Sequence, residues 1–226
     1  MKKDVCKAVL FDLDGVIVFT DTFHYLGWKR LADEKGWRFD KDFNHNLRGV
    51  SRLESLDLIL EYNGLEIPED EKHVLADRKN RYYVESLKSI DSAALVPGAL
   101  PFIETVKNRG LKTAVCSSSR NAELVLQSLD IWSLFDTVVS GNDITRSKPD
   151  PEIFLLGAER LGMGPENCLV IEDAGSGIEA ALQGGMRVAG FGGHDKSAAH
   201  VHISSFLNTD LDQLLAGAGF KKGGQE

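Results

Sequence analysis

Short apolar runs alternate with amphipathic stretches along most of this chain. The runs are "KAVLFDLD" (7–14), "TAVCSSS" (113–119), "TVVSGND" (137–143), "CLVIEDA" (168–174) and "RVAGFG" (187–192). Each is short, rich in β-branched or apolar residues and bounded by polar or turn residues, as a buried strand is. Between the later runs the spacing changes. Phe154, Ala158 and Leu161 recur at i, i+4, i+7, and Ile178, Ala181 and Leu182 at i, i+3, i+4, so each set marks one face of a helix. "KPDPEIF" opens the first of these helices, with Asp150 placed to cap it and Pro151 at its first position. Strands alternating with helices of this length predict an α/β fold, a Rossmann-like parallel sheet with helices on both faces.

Residues 19–92 read differently. Leu53, Leu56 and Leu60 make one helical stripe, and Leu75, Tyr83, Leu87 and Ile90 make another, which opens on "IPEDEK" with a proline and early acids. No strand pattern appears there. "VPG" at 96–98 marks a turn before the α/β pattern resumes. The expected organisation is an α/β core of residues 1–18 and 93–226, interrupted after its first strand by an all-helical insert of residues 19–92. There is no internal repeat, and the polar, glycine-rich tail "GFKKGGQE" is expected to fray.

Composition adds exclusions. The 226 residues are 42% hydrophobic and 27% charged, ordinary for a globular protein. A net charge of −8 disfavours nucleic acid and anionic membrane as partners, yet leaves room for a local basic pocket that binds an anionic substrate. No apolar run approaches the roughly 20 residues of a membrane span. Charges interrupt any secretory signal at the start. Cys6, Cys116 and Cys168 lie far apart, which argues for buried reduced thiols rather than a disulfide or zinc framework. A cytoplasmic protein is expected. An acidic surface with no obvious apolar patch points to a monomer.

The chemistry collects at the ends of the apolar runs. The first ends in Asp12 and Asp14, the second in Ser117, Ser118 and Ser119, and the fourth in Glu172 and Asp173; Lys148 follows the third. Ligands of open parallel sheets bind beyond the carboxyl ends of the strands, so these groups are expected on one rim. Residues i and i+2 of a strand share a side, which would aim Asp12 and Asp14 at one small volume. Their repulsion is tolerable if a divalent cation sits between them and Asp173, and magnesium prefers such oxygen ligands. One carboxylate is then available as a nucleophile on phosphorus and the other to move a proton. Lys148 would balance charge and Ser117 would donate to the transferring phosphoryl group.

"FDLDGV", "VCSSS", "SKPDP" and "VIEDAGSGI" resemble, in order, the four motifs of the haloacid dehalogenase-like phosphotransferase superfamily, and the helical insert resembles its small cap domain. "VIVFTDTFHYLGWKRLADEKG", "LRGVSRLESL", "DRKNRYY", "SSSRN" and "GNDITRSKPDPEIFLLGAE" extend the resemblance to the β-phosphoglucomutase family across nearly the whole chain. That resemblance implies interconversion of β-glucose 1-phosphate and glucose 6-phosphate through an aspartyl phosphate, with one Mg2+ per subunit and β-glucose 1,6-bisphosphate as intermediate and activator. It implies Asp12 as nucleophile and Asp14 as general acid/base that also lends its backbone carbonyl to the metal. Glu172 and Asp173 would complete the metal site with Asp12, and Ser117 and Lys148 would hold the transferring phosphoryl group. Arg52, with the backbone of Gly49 and Val50, and Ser119, Arg120 and Asn121 would contact the distal phosphate. His24, Trp28 and Lys79 match cap residues around the sugar and hinge. The implied partner is a small-molecule sugar phosphate.

Two positions depart from the family pattern. Phe19 stands where many relatives have a small polar or acidic residue, near the expected hinge. Arg120 stands where lysine is commoner, and its fork can hold phosphate oxygens in pairs. A sugar-phosphate phosphatase of the same superfamily is the alternative function, because it needs the same core but no second phosphate grip. A non-catalytic binding or regulatory protein is a remote alternative, since no core catalytic residue is missing.

Overall fold

The computed structural model describes residues 5–47, 50–192 and 198–221. The chain divides into two compact units, Met1–Phe19 with Ala94–Glu226, and Thr20–Ala93. The boundaries lie one residue later than the sequence pattern places them. Strand β1 (Ala8–Phe11) comes first. The second unit follows, built on helices α1 (Asp21–Lys35), α2 (Lys41–Asn44), α3 (Arg52–Tyr62) and α4 (Glu69–Ser86). The first unit then resumes with α5 (Ala99–Asn108), β2 (Lys112–Cys116), α6 (Ala122–Ser128), β3 (Thr137–Val139), α7 (Glu152–Leu161), β4 (Cys168–Glu172), α8 (Gly175–Gln183), β5 (Arg187–Phe191), β6 (Val201–Ile203) and α9 (Leu211–Gly217).

The six strands form one parallel sheet in the order β3-β2-β1-β4-β5-β6. In the middle, Leu10 pairs with Ala114 on one side and Val170 on the other. Winding runs outward from β1 through β2 to β3 and, in the other direction, from β4 through β5 to β6. The order therefore reverses between β1 and β4, and the loops leaving their carboxyl ends diverge into a crevice. That topology, not any local motif, sets where ligands can enter.

β1, β2 and β4 are buried along nearly their whole length, because helices cover both faces of a parallel sheet. On one face Ala8, Leu10, Ala114, Cys116, Cys168 and Val170 meet Ile153, Phe154 and Ala158 of α7 and Ile178 and Ala181 of α8. On the other, Phe11 meets Phe102 and Phe135 edge-on at 6.4 and 6.2 Å, and Phe206 stacks on Phe191 at 4.5 Å. The three cysteines are free and buried, and burial pushes the Cys6 and Cys168 thiols up to about 12. The helical unit has its own core, in which Trp28, Leu31, Leu56, Ile59, Leu60 and Leu75 pack together. No helix among the described residues is long and apolar enough to cross a membrane.

Several expectations shift. The strands stop at Phe11, Cys116, Val139, Glu172 and Phe191, so β1, β2 and β3 end short of their expected polar ends while β4 reaches Glu172 but not Asp173. Pro151 is the residue before the first turn of α7 rather than its first member, and Asp150 Oδ1 accepts from the Glu152 N–H. The stripe through Leu87 and Ile90 outlasts its helix, which ends at Ser86 and passes into a 3₁₀ turn at Leu87–Ser89. β6 has no counterpart among the expected strands. The tail does not fray at once: Phe220 is buried and Lys221 bridges to Val5. Residues 222–226 lie outside the described residues.

Candidate active site

β1 ends at Phe11, and the Asp12 N–H makes a last bond to the Ile171 carbonyl of β4 at 3.0 Å, so strand alternation does not place Asp12 and Asp14 together. A tight turn aims them instead. The Gly15 N–H donates to the Val18 carbonyl at 2.8 Å, and the Ile17 and Val18 N–H groups donate to the Leu13 carbonyl at 2.9 and 3.0 Å. Gly15 takes φ 85°, and a Cβ there would lie 2.3 Å from Asp173 Oδ2. Glycine thus supplies both the left-handed turn and the close approach that brings Asp173 against the β1 loop.

Lys148 is the electrostatic centre of the first unit. Its Nζ donates to Asp12 Oδ1 at 2.5 Å and to Glu172 Oε1 at 2.7 Å, and it lies 4.8 Å from the centre of the Phe154 ring. Its side chain is only 6% exposed, and the pairs are therefore poorly screened. Burial alone would lower the Lys148 ammonium, but Asp12 and Glu172 outweigh it and hold it firmly protonated. Asp12 is pushed well above the usual carboxylate range by burial. Lys148 opposes that shift, while Glu172, Asp14 and Asp173 add to it.

Ser117 extends the cluster from β2. Its N–H donates to the Val139 carbonyl at 3.0 Å, its Oγ accepts from the Ser119 N–H at 3.1 Å, and its hydroxyl reaches Asp14 Oδ2 at 3.5 Å. The Asn121 N–H donates to Ser119 Oγ at 3.2 Å, and Asn121 precedes the first turn of α6. Arg120 is exposed, and its carbonyl accepts from Asn142 Nδ2 at 2.9 Å.

Glu172 has both carboxylate oxygens engaged, one by Lys148 and the other by the Ala174 N–H at 2.6 Å. Its carboxyl also fills the space beside Gly177, where a Cβ would lie 1.8 Å from Oε1. Gly177→Ala is accordingly expected to displace Glu172 and loosen Lys148. Activity should fall about tenfold or more while α8, where alanine is favoured over glycine, keeps its helicity. Steady-state rates beside far-ultraviolet circular dichroism check this.

The donor set suits a hard divalent cation. Four carboxylates, Asp12, Asp14, Glu172 and Asp173, act together around one ammonium, which leaves excess negative charge for a cation to offset. Among the described residues, no group of three His, Cys, Asp or Glu side chains is drawn together as a metal cage. Lys148 and the Ala174 N–H engage Glu172, and Lys148 engages Asp12 Oδ1.

The helical unit carries the other expected residues. Lys79, 2% exposed, donates from Nζ to His24 Nδ1 at 2.8 Å. The His24 ring stacks on Tyr83 at 4.1 Å, and Lys79 Nζ lies 4.9 Å from the Trp28 ring centre and 5.1 Å from that of Tyr83. Burial, then Lys79 and Arg52, hold His24 well below its ordinary range, so it stays neutral. Arg52 opens α3 beside Ser51, whose side chain forms a capping box with Glu54, and its Nη1 lies 3.6 Å from Asp77 Oδ1. Val50 is exposed, and Gly49 lies outside the described residues. Phe19 is 51% exposed, with its N–H bonded to the Ala94 carbonyl at 2.7 Å. Sequence reasoning passed over Tyr83 and Phe154 as site residues. For Tyr83 a signal existed, because i+4 spacing from Lys79 puts it on the same helix face.

Residues 6–185 match the haloacid dehalogenase-like hydrolase family. The chain belongs to that family. It is 42% identical to the β-phosphoglucomutase of Bacillus subtilis over 188 residues, which span 82% of this chain and 83% of that one. It is 35% identical to the phosphorylated carbohydrates phosphatase of Thermotoga maritima over 80% of this chain and 82% of that one. The crystal structure of β-phosphoglucomutase from Clostridium difficile superimposes with a TM-score of 0.88 at 36% identity, covering 95% of this chain and 97% of that one. The carboxylate cluster thus sits in a fold shared with enzymes named for sugar-phosphate chemistry.

Proposed function

We propose that this chain is a β-phosphoglucomutase, interconverting β-D-glucose 1-phosphate and D-glucose 6-phosphate through an aspartyl phosphate and β-glucose 1,6-bisphosphate. The observation that carries the reading is the buried Asp12–Lys148–Glu172 bridge at the carboxyl ends of β1 and β4, in a chain 42% identical to a β-phosphoglucomutase over most of its length. In the proposed reaction the phosphoryl group on Asp12 passes to the free hydroxyl of the bound sugar monophosphate, whose proton goes to Asp14, giving the 1,6-bisphosphate and free Asp12. With the bisphosphate turned end over end, Asp12 attacks the phosphorus of its other ester and the sugar oxygen leaves with the proton from Asp14, which restores the aspartyl phosphate and releases the isomeric monophosphate. Lys148 and Ser117 hold the phosphoryl oxygens as charge moves onto them. One magnesium ion, held by oxygens of Asp12, Asp14, Glu172 and Asp173, would supply charge neutralisation at the transferring group.

Arg52, Arg120, Ser119 and Asn121 are the proposed contacts of the second phosphate, with Gly49 and Val50. His24, Trp28 and Lys79 are the proposed sugar-side residues. The chain is proposed to act as a cytoplasmic monomer whose partner is the sugar phosphate alone. The test is a coupled assay of glucose 6-phosphate formed from β-glucose 1-phosphate, with magnesium and a trace of β-glucose 1,6-bisphosphate, beside a free-phosphate assay on the same sample. Rapid glucose 6-phosphate with little free phosphate supports the mutase. Free phosphate without isomerisation supports the second reading, a sugar-phosphate phosphatase, which the similarity to the Thermotoga maritima enzyme favours.

Arg52 separates the two further. A mutase must grip both phosphates, whereas hydrolysis of a small ester uses one. Arg52→Ala should lower mutase kcat/KM by about 10²-fold or more and p-nitrophenyl phosphate hydrolysis by less than about threefold. Equal losses in both assays would remove Arg52 from the second-phosphate role.

A further inference from the structure

Lys148 reaches the cluster from a loop, and what holds that loop is a residue that the proposed chemistry does not use. Between Val139 and Glu152 the described chain has neither helix nor strand. A lysine side chain is long and has many rotamers, so its head can bridge two carboxylates reproducibly only if its backbone root is fixed. The root is fixed from α7. Glu152, the first residue of that helix, turns both carboxylate oxygens back onto the loop. Oε1 accepts from the Thr145 N–H at 3.0 Å and from Thr145 Oγ1 at 3.2 Å. Oε2 accepts from the Arg146 N–H at 2.8 Å, from Thr145 Oγ1 at 3.0 Å and from Arg146 Nε at 3.5 Å. Asp150 adds an ion pair to Arg146 Nε at 3.1 Å and returns its own N–H to the Ser147 carbonyl at 3.0 Å.

α7 is a firm platform for this. Ile153, Phe154 and Ala158 are buried against the sheet, and Phe154 lies under the Lys148 ammonium. One helix thereby grips the lysine twice, at the loop that carries its backbone through Glu152 and at its head through the Phe154 ring. The Thr145 and Arg146 N–H groups also hold Glu152 below the usual carboxylate range, so the clamp stays ionised at neutral pH.

We infer that Glu152 is a positioning residue for phosphoryl transfer, clamping residues 145–146 so that Lys148 bridges Asp12 and Glu172. The inference rests on the aspartyl-phosphate reading above, though not on the choice between mutase and phosphatase.

A double-mutant cycle tests it with p-nitrophenyl phosphate as substrate. Magnesium is present, and enzyme is in excess so that slow variants stay measurable. Glu152→Ala should lower the transfer rate about tenfold to a hundredfold with little change in half-saturation, since a misplacement of about 1 Å costs that much. In a Lys148→Ala background the same substitution should cost less than about twofold, because the group it positions is gone. Glu152→Gln keeps one acceptor oxygen and the side-chain shape, and should recover part of the rate. Trypsin cleavage after Arg146 should rise in Glu152→Ala well below its Tm. Equal fractional losses in both backgrounds, or an unchanged rate in Glu152→Ala with faster cleavage, would overturn the positioning role. An unchanged rate in Lys148→Ala alone would instead remove Lys148 from phosphoryl transfer and the clamp's catalytic role with it, whereas the aspartyl-phosphate reading stands or falls with Asp12→Asn.

Discussion

Asp12→Asn should abolish phosphoryl transfer from every substrate, by about 10⁴-fold or more, while leaving the fold intact. An amide has no nucleophilic oxygen of carboxylate strength, so no aspartyl phosphate forms. The structural cost is small for a specific reason. Asn keeps an acceptor oxygen toward Lys148, and Glu172 still pairs that ammonium at 2.7 Å. The substitution also removes one of the carboxylates crowded around a buried position, where burial and three neighbouring acids already disfavour the charge. Tm is therefore expected within a few degrees of the parent, or above it. Mass spectrometry of enzyme quenched during turnover checks the chemistry directly: the parent should carry a phosphoryl group and the variant none. Turnover undiminished in Asp12→Asn would end the nucleophile assignment.

Lys148→Ala should damage both activity and stability. It leaves Asp12 and Glu172, both nearly inaccessible to solvent, facing each other without a cation. Breaking a buried pair from one side typically costs about 3–5 kcal/mol, most of it the uncompensated charge that remains. The pH dependence follows. With Lys148 gone, the folded-state pKa of Asp12, already raised by burial, rises further above its unfolded value of about 4. A group whose folded pKa is raised binds its proton more tightly in the folded state, so stability is retained at low pH and lost as pH rises through the folded pKa. The deficit against the parent should be small near pH 4, widen through the following pH units and then level off. Denaturant melts across pH measure it. A deficit independent of pH would mean that the lost packing on Phe154, rather than the bared carboxylates, sets the cost.

Much of the architecture was legible in the chain. Apolar runs between amphipathic stretches indicate a parallel sheet, because only strands covered on both faces read as continuously apolar. Leu53, Leu56 and Leu60 place α3, and "IPEDEK" places the start of α4, by the ordinary rules of helix periodicity and first-turn acids. β6 was not legible. Val201–Ile203 is three residues of a half-exposed edge, too short for a pattern, and only its pairing with Ala189, Gly190 and Phe191 of β5 makes it a strand. The strand ends were overrun for a related reason. Asp12, Ser117 and Asp173 follow apolar runs without a break in sequence, and where the ladder stops depends on its neighbours.

Which groups belong to the cluster could be read from the chain alone: two aspartates after β1, serines after β2, a lysine before α7 and an acidic pair at the end of β4. These residue types at these strand ends are a chemical statement that needs no coordinates. How the charges are shared depends on the folded chain. It gives Lys148 to Asp12 and Glu172, engages the second oxygen of Glu172 with the Ala174 N–H, and sets Asp173 against Gly15. It also converts Glu152 from a helix-start acid into the clamp on the lysine's loop. Local pattern reports what a residue can do. Which partner it meets depends on strand order and loop path, through contacts between residues as far apart in the chain as Asp12 and Lys148.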